Sequence, residues 1–191
     1  MKKYDTGSAL WIDVTSGTVT MTIASPAVVS LTAHGLKSGT KFVFSTTGAL
    51  PTGVTAGTTY YVIAAGLTAD AFEFSATLGG SAVNTSGSQS GVHTITRLYT
   101  AAAEFGFRVY DDNLYFGNTV ENYTKWTGTA FTEYDTAPKG NIFEVFEDRM
   151  FVSGATAEPL SVYYSKTSDP IDFTVSSSAG GIVKPLGADS V

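Results

Sequence analysis

Carboxylates are the reactive side chains this sequence offers in number: 17 Asp and Glu, against 2 His and no Cys. Two acidic pairs, Asp111-Asp112 and Glu147-Asp148, stand 36 residues apart. Two carboxyls about 5–10 Å apart in a groove can hydrolyse a glycoside, and adjacent acids can bind calcium. The surrounding pattern favours a plainer role. No D-x-D-x-D-G loop accompanies either pair. Each pair interrupts an apolar run where a hairpin turn is expected, and Asp suits such a turn by its backbone preferences alone. His34 precedes Gly35 in a turn-rich stretch and His93 lies in an alternating one, with no further ligands at metal spacing. A thiolate nucleophile is impossible without cysteine. No G-x-S-x-G elbow occurs, and Leu78-Gly79-Gly80-Ser81 lacks the Lys and helix of a phosphate loop. No catalytic, metal-binding or cofactor-binding residue is therefore assigned. No cofactor is expected, and the chain reads as a non-enzyme.

Aromatic residues are the other candidates. Tyr123, Trp126, Tyr163 and Tyr164, together with Tyr134, are able to form a sugar-stacking surface, but aromatics that alternate along strands more often pack between sheets. Arg149 stands where Asn113 stands 36 residues earlier. It either caps local charge or reaches a neighbouring sheet or subunit. Tyr123, Trp126, Arg149, Tyr163 and Tyr164 are thus the candidate ligand or interface residues. Asn84-Thr85-Ser86 and Asn122-Tyr123-Thr124 match the glycosylation acceptor and are read as chance matches.

These residues are positioned by strands. The chain has 191 residues, enough for one domain or two small ones, and its 43% hydrophobic and 15% charged content suits a packed core. No apolar run is long enough for a membrane span, and the start, Met1-Lys2-Lys3-Tyr4-Asp5-Thr6-Gly7, fails as a secretory signal. The net charge of −6 divides unevenly: residues 1–97 carry +1 and 8 aromatics, residues 98–191 carry −7 and 16. That shift predicts two domains. Neither part has the basic stripe that a phosphate backbone requires.

Residues 1–97 are rich in Thr and Gly. Short strands are expected at Leu10–Val14, Val19–Ile23, Val28–Thr32, Lys41–Phe44, Thr58–Ile63, Ala71–Phe74 and Val92–Thr96, as in a small β-barrel or sandwich. Gly35 and Gly39 supply turns, Leu50-Pro51-Thr52-Gly53 reads as a type II turn, and Asn84–Gly91 reads as a mobile, exposed loop. Residues 97–104 read as a linker or one helical turn.

The second part repeats itself. Phe107-Arg108-Val109-Tyr110-Asp111-Asp112-Asn113-Leu114-Tyr115-Phe116 returns, without a gap, as Phe143-Glu144-Val145-Phe146-Glu147-Asp148-Arg149-Met150-Phe151-Val152. Each copy, about 104–138 and about 140–175, predicts a hairpin followed by two more strands, at Asn122–Trp126 and Ala130–Tyr134 in the first and at Leu160–Tyr164 and Ile171–Thr174 in the second. Four strands in such a period make one propeller-like blade. The expected fold class is all-β: a small barrel or sandwich, then two four-stranded blades of an incomplete propeller. A further strand is expected from Ile182 through Gly187, and with it a longer polypeptide or partner chains completing the fold.

Asn113-Leu114-Tyr115-Phe116-Gly117-Asn118, Lys125-Trp126-Thr127-Gly128, Phe146–Gly154 and Val162-Tyr163-Tyr164-Ser165 with Asp169-Pro170-Ile171-Asp172-Phe173 resemble propeller segments of bacteriophage tail proteins. Thr32–Thr40, Gly57–Ile63 and Phe72-Glu73-Phe74-Ser75 resemble a small β-barrel module of phage virion proteins, and are similar to the first catalytic-cysteine half-domain of ubiquitin-activating enzymes, which implies a fold only. The resemblance implies a structural virion component of a phage tail (nozzle, hub or fibre attachment), made in the host cytoplasm. It implies contact with other tail proteins; the uncovered repeat predicts self-association, and the −7 charge of residues 98–191 predicts passing contact with viral DNA without specific binding. The rival reading is a receptor- or polysaccharide-binding adhesin. A third, a glycoside hydrolase, requires a cleft with two converging carboxylates.

Overall fold

The computed structural model describes residues 2–5, 10–13, 16–100, 103–176 and 180–184. Every regular element among them is a β-strand, so the all-β class read from the sequence holds. The chain divides into two compact units, Met1–Tyr99 and Thr100–Val191.

In the first unit, β1 (Lys2–Asp5) and β2 (Leu10–Asp13) form an antiparallel pair. Only the second of these strands was expected; Val14, the end of that expected strand, lies outside the described residues. Seven further strands follow: β3 (Ser16–Met21), β4 (Val29–Ser30), β5 (Lys41–Thr46), β6 (Thr59–Val62), β7 (Ala71–Phe72), β8 (Phe74–Ser75) and β9 (His93–Arg97). They form one antiparallel sheet in the order β7-β4-β3-β9-β5-β6-β8. Its two edges, β7 and β8, are separated by Glu73 alone. The stretch from Ala71 to Ser75 pairs with β4 at its start and with β6 at its end, which nearly closes the sheet into a barrel. Closure removes exposed strand edges.

Period-two alternation fills the barrel. Phe42 and Phe44, Tyr60 and Val62, and Phe72 and Phe74 all point inward and are buried. The rings meet edge to face: Phe42 and Phe44 at 5.1 Å and 87°, Tyr60 and Phe74 at 5.3 Å and 87°. Such geometry adds about 0.5–1.5 kcal/mol per pair beyond area burial. Two turns differ from expectation. The Val54 N–H bonds the Pro51 carbonyl and Gly53 takes φ +104°, so the turn is Pro51-Thr52-Gly53-Val54, one residue later, with Gly where positive φ is required. The Asn84–Gly91 loop is tied down. The Thr85 hydroxyl donates to the Thr22 carbonyl (2.8 Å) and accepts from the Ala24 N–H (3.0 Å), and the Gln89 amide donates to the Met21 carbonyl (2.6 Å). Its short polar side chains replace ladder bonds for neighbouring backbone.

The second unit holds two four-stranded antiparallel sheets, each in chain order. The first contains β10 (Gly106–Tyr110), β11 (Asn113–Gly117), β12 (Tyr123–Trp126) and β13 (Phe131–Tyr134). The second contains β14 (Ile142–Phe146), β15 (Arg149–Ser153), β16 (Val162–Tyr164) and β17 (Gly181–Val183). The fourth strand of the second copy is therefore β17, not Ile171–Thr174. In that stretch the Asp172 carboxylate accepts the Thr174 N–H (2.9 Å) and the Asp172 carbonyl accepts the Lys166 N–H (2.8 Å), which spends the backbone locally. The strand expected to open a further unit at Ile182 instead completes this sheet; Pro185, Leu186 and Gly187 lie outside the described residues. So do Ala101 and Ala102 of the expected linker.

Candidate interaction faces

The repeat places each acidic pair at the tip of a two-residue hairpin. Tyr110 pairs with Asn113 and Phe146 with Arg149, leaving Asp111-Asp112 and Glu147-Asp148 as the loops. All four loop residues take positive φ, from +46° to +59°, the requirement of a type I′ turn. All four are exposed. The Ser168 hydroxyl and the Tyr110 phenol donate to the two oxygens of Asp148, and these bonds hold its carboxyl below the usual range. The same bond, ahead of any other cause, pushes the Tyr110 phenol up to about 12. No group of three metal-binding side chains occurs among the described residues.

The histidines serve the barrel. His34 Nδ1 accepts the Leu36 N–H (3.0 Å), which leaves the proton on Nε2, and burial keeps the ring's pKa low. His93 Nδ1 meets the Thr46 hydroxyl (2.8 Å) and Nε2 meets the Gln89 side-chain amide oxygen Oε1 (3.1 Å).

The apolar positions of the repeat decide how the two sheets meet. Cross-strand partners share a side of the sheet. In the first sheet, Tyr110, Tyr115, Tyr123 and Tyr134 share one face; in the second, Phe143, Val145, Met150 and Val152 do. These two faces pack on each other as one core. The Tyr123 ring is fully buried, stacked on Phe143 (5.6 Å, 19°) and set edge-on to Phe173 (5.7 Å, 78°), and its hydroxyl donates to the Pro170 carbonyl (2.8 Å). Burial pushes the Tyr115 phenol up to about 12 and raises Tyr123 and Tyr134 as well. Gly106 and Gly117 face the Phe143 ring, where a Cβ on Gly106 would collide with it and with the Asn141 carbonyl. At the rim, Arg108 of β10 is paired with Glu144 of β14.

Each sheet carries exposed apolar side chains on its second face, although on the first sheet Phe116, Thr124 and Glu133 of that face are buried. On the first sheet it carries Phe107 and Val109, 52% and 65% exposed, beside a shallow groove of about 450 Å³ lined by them, Leu114, Arg108 and Val145. On the second it carries Ile142, Phe146 and Val183, 60%, 61% and 56% exposed. Exposed apolar side chains gathered on one side of a sheet suit an interaction surface.

The five candidate residues are not gathered into one row. Tyr123 belongs to the buried core. Trp126, half-buried, lies on the open face of the first sheet, stacked on Phe131 (6.0 Å, 23°). Tyr163 lies on the packed side of the second sheet and donates to Glu158 (3.1 Å). Arg149 and Tyr164 do meet, on the open face of the second sheet: the guanidinium sits 5.5 Å from the Tyr164 ring centre and donates to the Ser165 carbonyl (2.7 Å). Sequence reading missed Phe107, Val109, Ile142 and Phe146 as surface residues, although the 36-residue register already marked them as equivalents of packed positions.

No protein-family model and no curated protein sequence matches the chain. Among solved structures it is similar to the phage phi92 endosialidase, at 18% identity and a TM-score of 0.26, over 88% of this chain. The chain spans 30% of the length of that protein. The similarity is distant and partial, and it is to a phage protein. It corrects one expectation: the neighbour is by name an enzyme, and the reading of this chain as a non-enzyme is withdrawn. The likeness of the barrel to the half-domain of ubiquitin-activating enzymes finds no support in these comparisons.

Proposed function

We propose that the chain is a structural component of a bacteriophage tail, part of a nozzle, hub or fibre-attachment protein in the virion, where it acts as an oligomerising scaffold. One observation carries this reading: two tandem copies of the same four-stranded sheet stack in series while each keeps exposed apolar side chains on its far side. A unit built this way gains stability from neighbours on either side. The tail-protein resemblance of the repeat segments points the same way. The net −7 of residues 98–191 would repel a nucleic-acid backbone and let DNA pass without adhering.

The reading is tested on particles of a phage that encodes this sequence. Antibodies raised against the chain should decorate the tail in electron micrographs, and mass spectrometry should detect the chain in purified particles. Its absence from purified particles would end the proposal. The adhesin reading needs a solvent-facing aromatic row, and burial of Tyr123 with dispersal of Trp126, Tyr163 and Tyr164 over different faces weighs against it. Specific binding to a glycan array would revive it.

A further inference from the structure

We propose that the open face of the second sheet in one copy of this chain packs on the open face of the first sheet in another, repeating between molecules the contact that joins the two sheets within one. The inference rests on the scaffold reading and names its partner: a second copy.

The 36-residue register supplies the argument. Within one molecule the second sheet offers Phe143, Val145 and Met150 to the first. The same strand positions of the first sheet hold Phe107, Val109 and Leu114, apolar at every place and lining the open groove. In return, the first sheet offers Tyr110 and Tyr115 to the second. Their equivalents in the second sheet are Phe146 and Phe151, on its open face. Both halves of the internal interface therefore recur at opposite ends of the stack, more than half exposed at Phe107, Val109 and Phe146 and buried at Phe116, the equivalent of Val152. In that arrangement Phe146 of one copy would enter the groove at Val109 and Leu114 of the next, as its equivalent Tyr110 packs on the core between the sheets.

Charge agrees with this pairing. Arg108 bonds Glu144 across the internal rim. These two residues occupy equivalent positions, so a second copy would set its Arg108 against the first copy's Glu144. The pair is recovered with its signs exchanged, and the alternation continues along the assembly. Such a contact is heterologous, and it builds rings where the rotation closes and filaments where it does not.

The test uses the full chain in two singly blocked forms. Val109→Glu blocks the first sheet's open face, and Phe146→Glu blocks the second's. Both side chains are more than half exposed, so the fold should be retained, as circular dichroism and thermal melting will check. In sedimentation velocity across concentration, the unmodified chain should associate beyond a dimer. Each variant alone should associate at least about tenfold more weakly, because the contact would bury an unpaired charge. A 1:1 mixture of the two should form dimers and nothing larger, since each retains the face the other lacks. A second pair gives an independent readout. R108E alone and E144R alone should each lose association, and mixing them should restore it, because the R108E copy offers its native Glu144 to the native Arg108 of the E144R copy. An unmodified chain that stays monomeric to about 100 µM would overturn the inference, that being weaker than transient specific contacts. So would a mixture that stays monomeric while the unmodified chain associates. Presence in the virion is read by the separate labelling experiment, so loss of the tail assignment and loss of this contact are distinguishable.

Discussion

At the scale of single residues, the acidic tips show how backbone conformation selects side chains. Asp111, Asp112, Glu147 and Asp148 all take positive φ, which costs little for Asp and Asn and more for other residues. Glu147 is the least suited of the four. Replacing it with Asn should stabilise the second unit by roughly 0.5–1 kcal/mol, read as a shift in the urea midpoint at constant slope. An unchanged or lower midpoint would mean that Glu147 makes a compensating contact. The tip turns were legible in sequence because the acids fall between two apolar runs. The bonds to Asp148 were not, since Tyr110 lies in the other copy and Ser168 lies 20 residues downstream.

At the scale of elements, the repeat was legible and its closing strand was not. The hairpins and third strands follow from alternation and turn residues. Ile171–Thr174 has the composition of a strand, yet its backbone bonds are satisfied locally while Ile171 and Phe173 pack on the core between the sheets. Composition alone does not separate a strand from a loop that buries two apolar side chains. The contact between the sheets depends on close approach at β10, where Gly106 lies against the Asn141 carbonyl and the Phe143 ring. Gly106→Ala should destabilise the second unit by about 1–3 kcal/mol, since the carbonyl is backbone and cannot step aside. A melting temperature equal to that of the unmodified chain would show that the sheets separate without strain. The pinned loop at Asn84–Gly91 makes the same point in the barrel: Ser, Thr and Gly suggest a free loop until their distant partners, Met21, Thr22 and Ala24, are known.

At the scale of the whole molecule, titration should bound stability on both sides. The carboxyls of Asp148, Glu158 and Asp172 lie below their usual values because hydrogen bonds favour the charged form. Their contribution is present above the unfolded values, about 4, and is lost as pH falls through the folded ones. The phenols of Tyr110 and Tyr115 are pushed up to about 12, so their contribution is present below about 10 and is lost as pH rises toward 12. Stability against pH should therefore show a plateau with an acid and an alkaline limb. Replacing both Tyr110 with Phe and Ser168 with Ala should flatten the acid limb; an unaltered limb would show that Asp148 titrates without these partners. The first sheet's open side, the second sheet's open side and the proposed stacking of copies belong to this scale too. No local motif announces them. They emerge once register assigns each apolar residue of the repeat to one side of a sheet. Alternation, turn chemistry and the 36-residue period determined by themselves that the chain is all-β, that it holds two like sheets and that their tips are acidic. Those are local properties of backbone sterics and side-chain periodicity. Which faces pack, which stay open, how the barrel closes through Ala71–Ser75 and where the last strand falls were decided only in three dimensions, because burial depends on neighbours that sequence distance does not reveal.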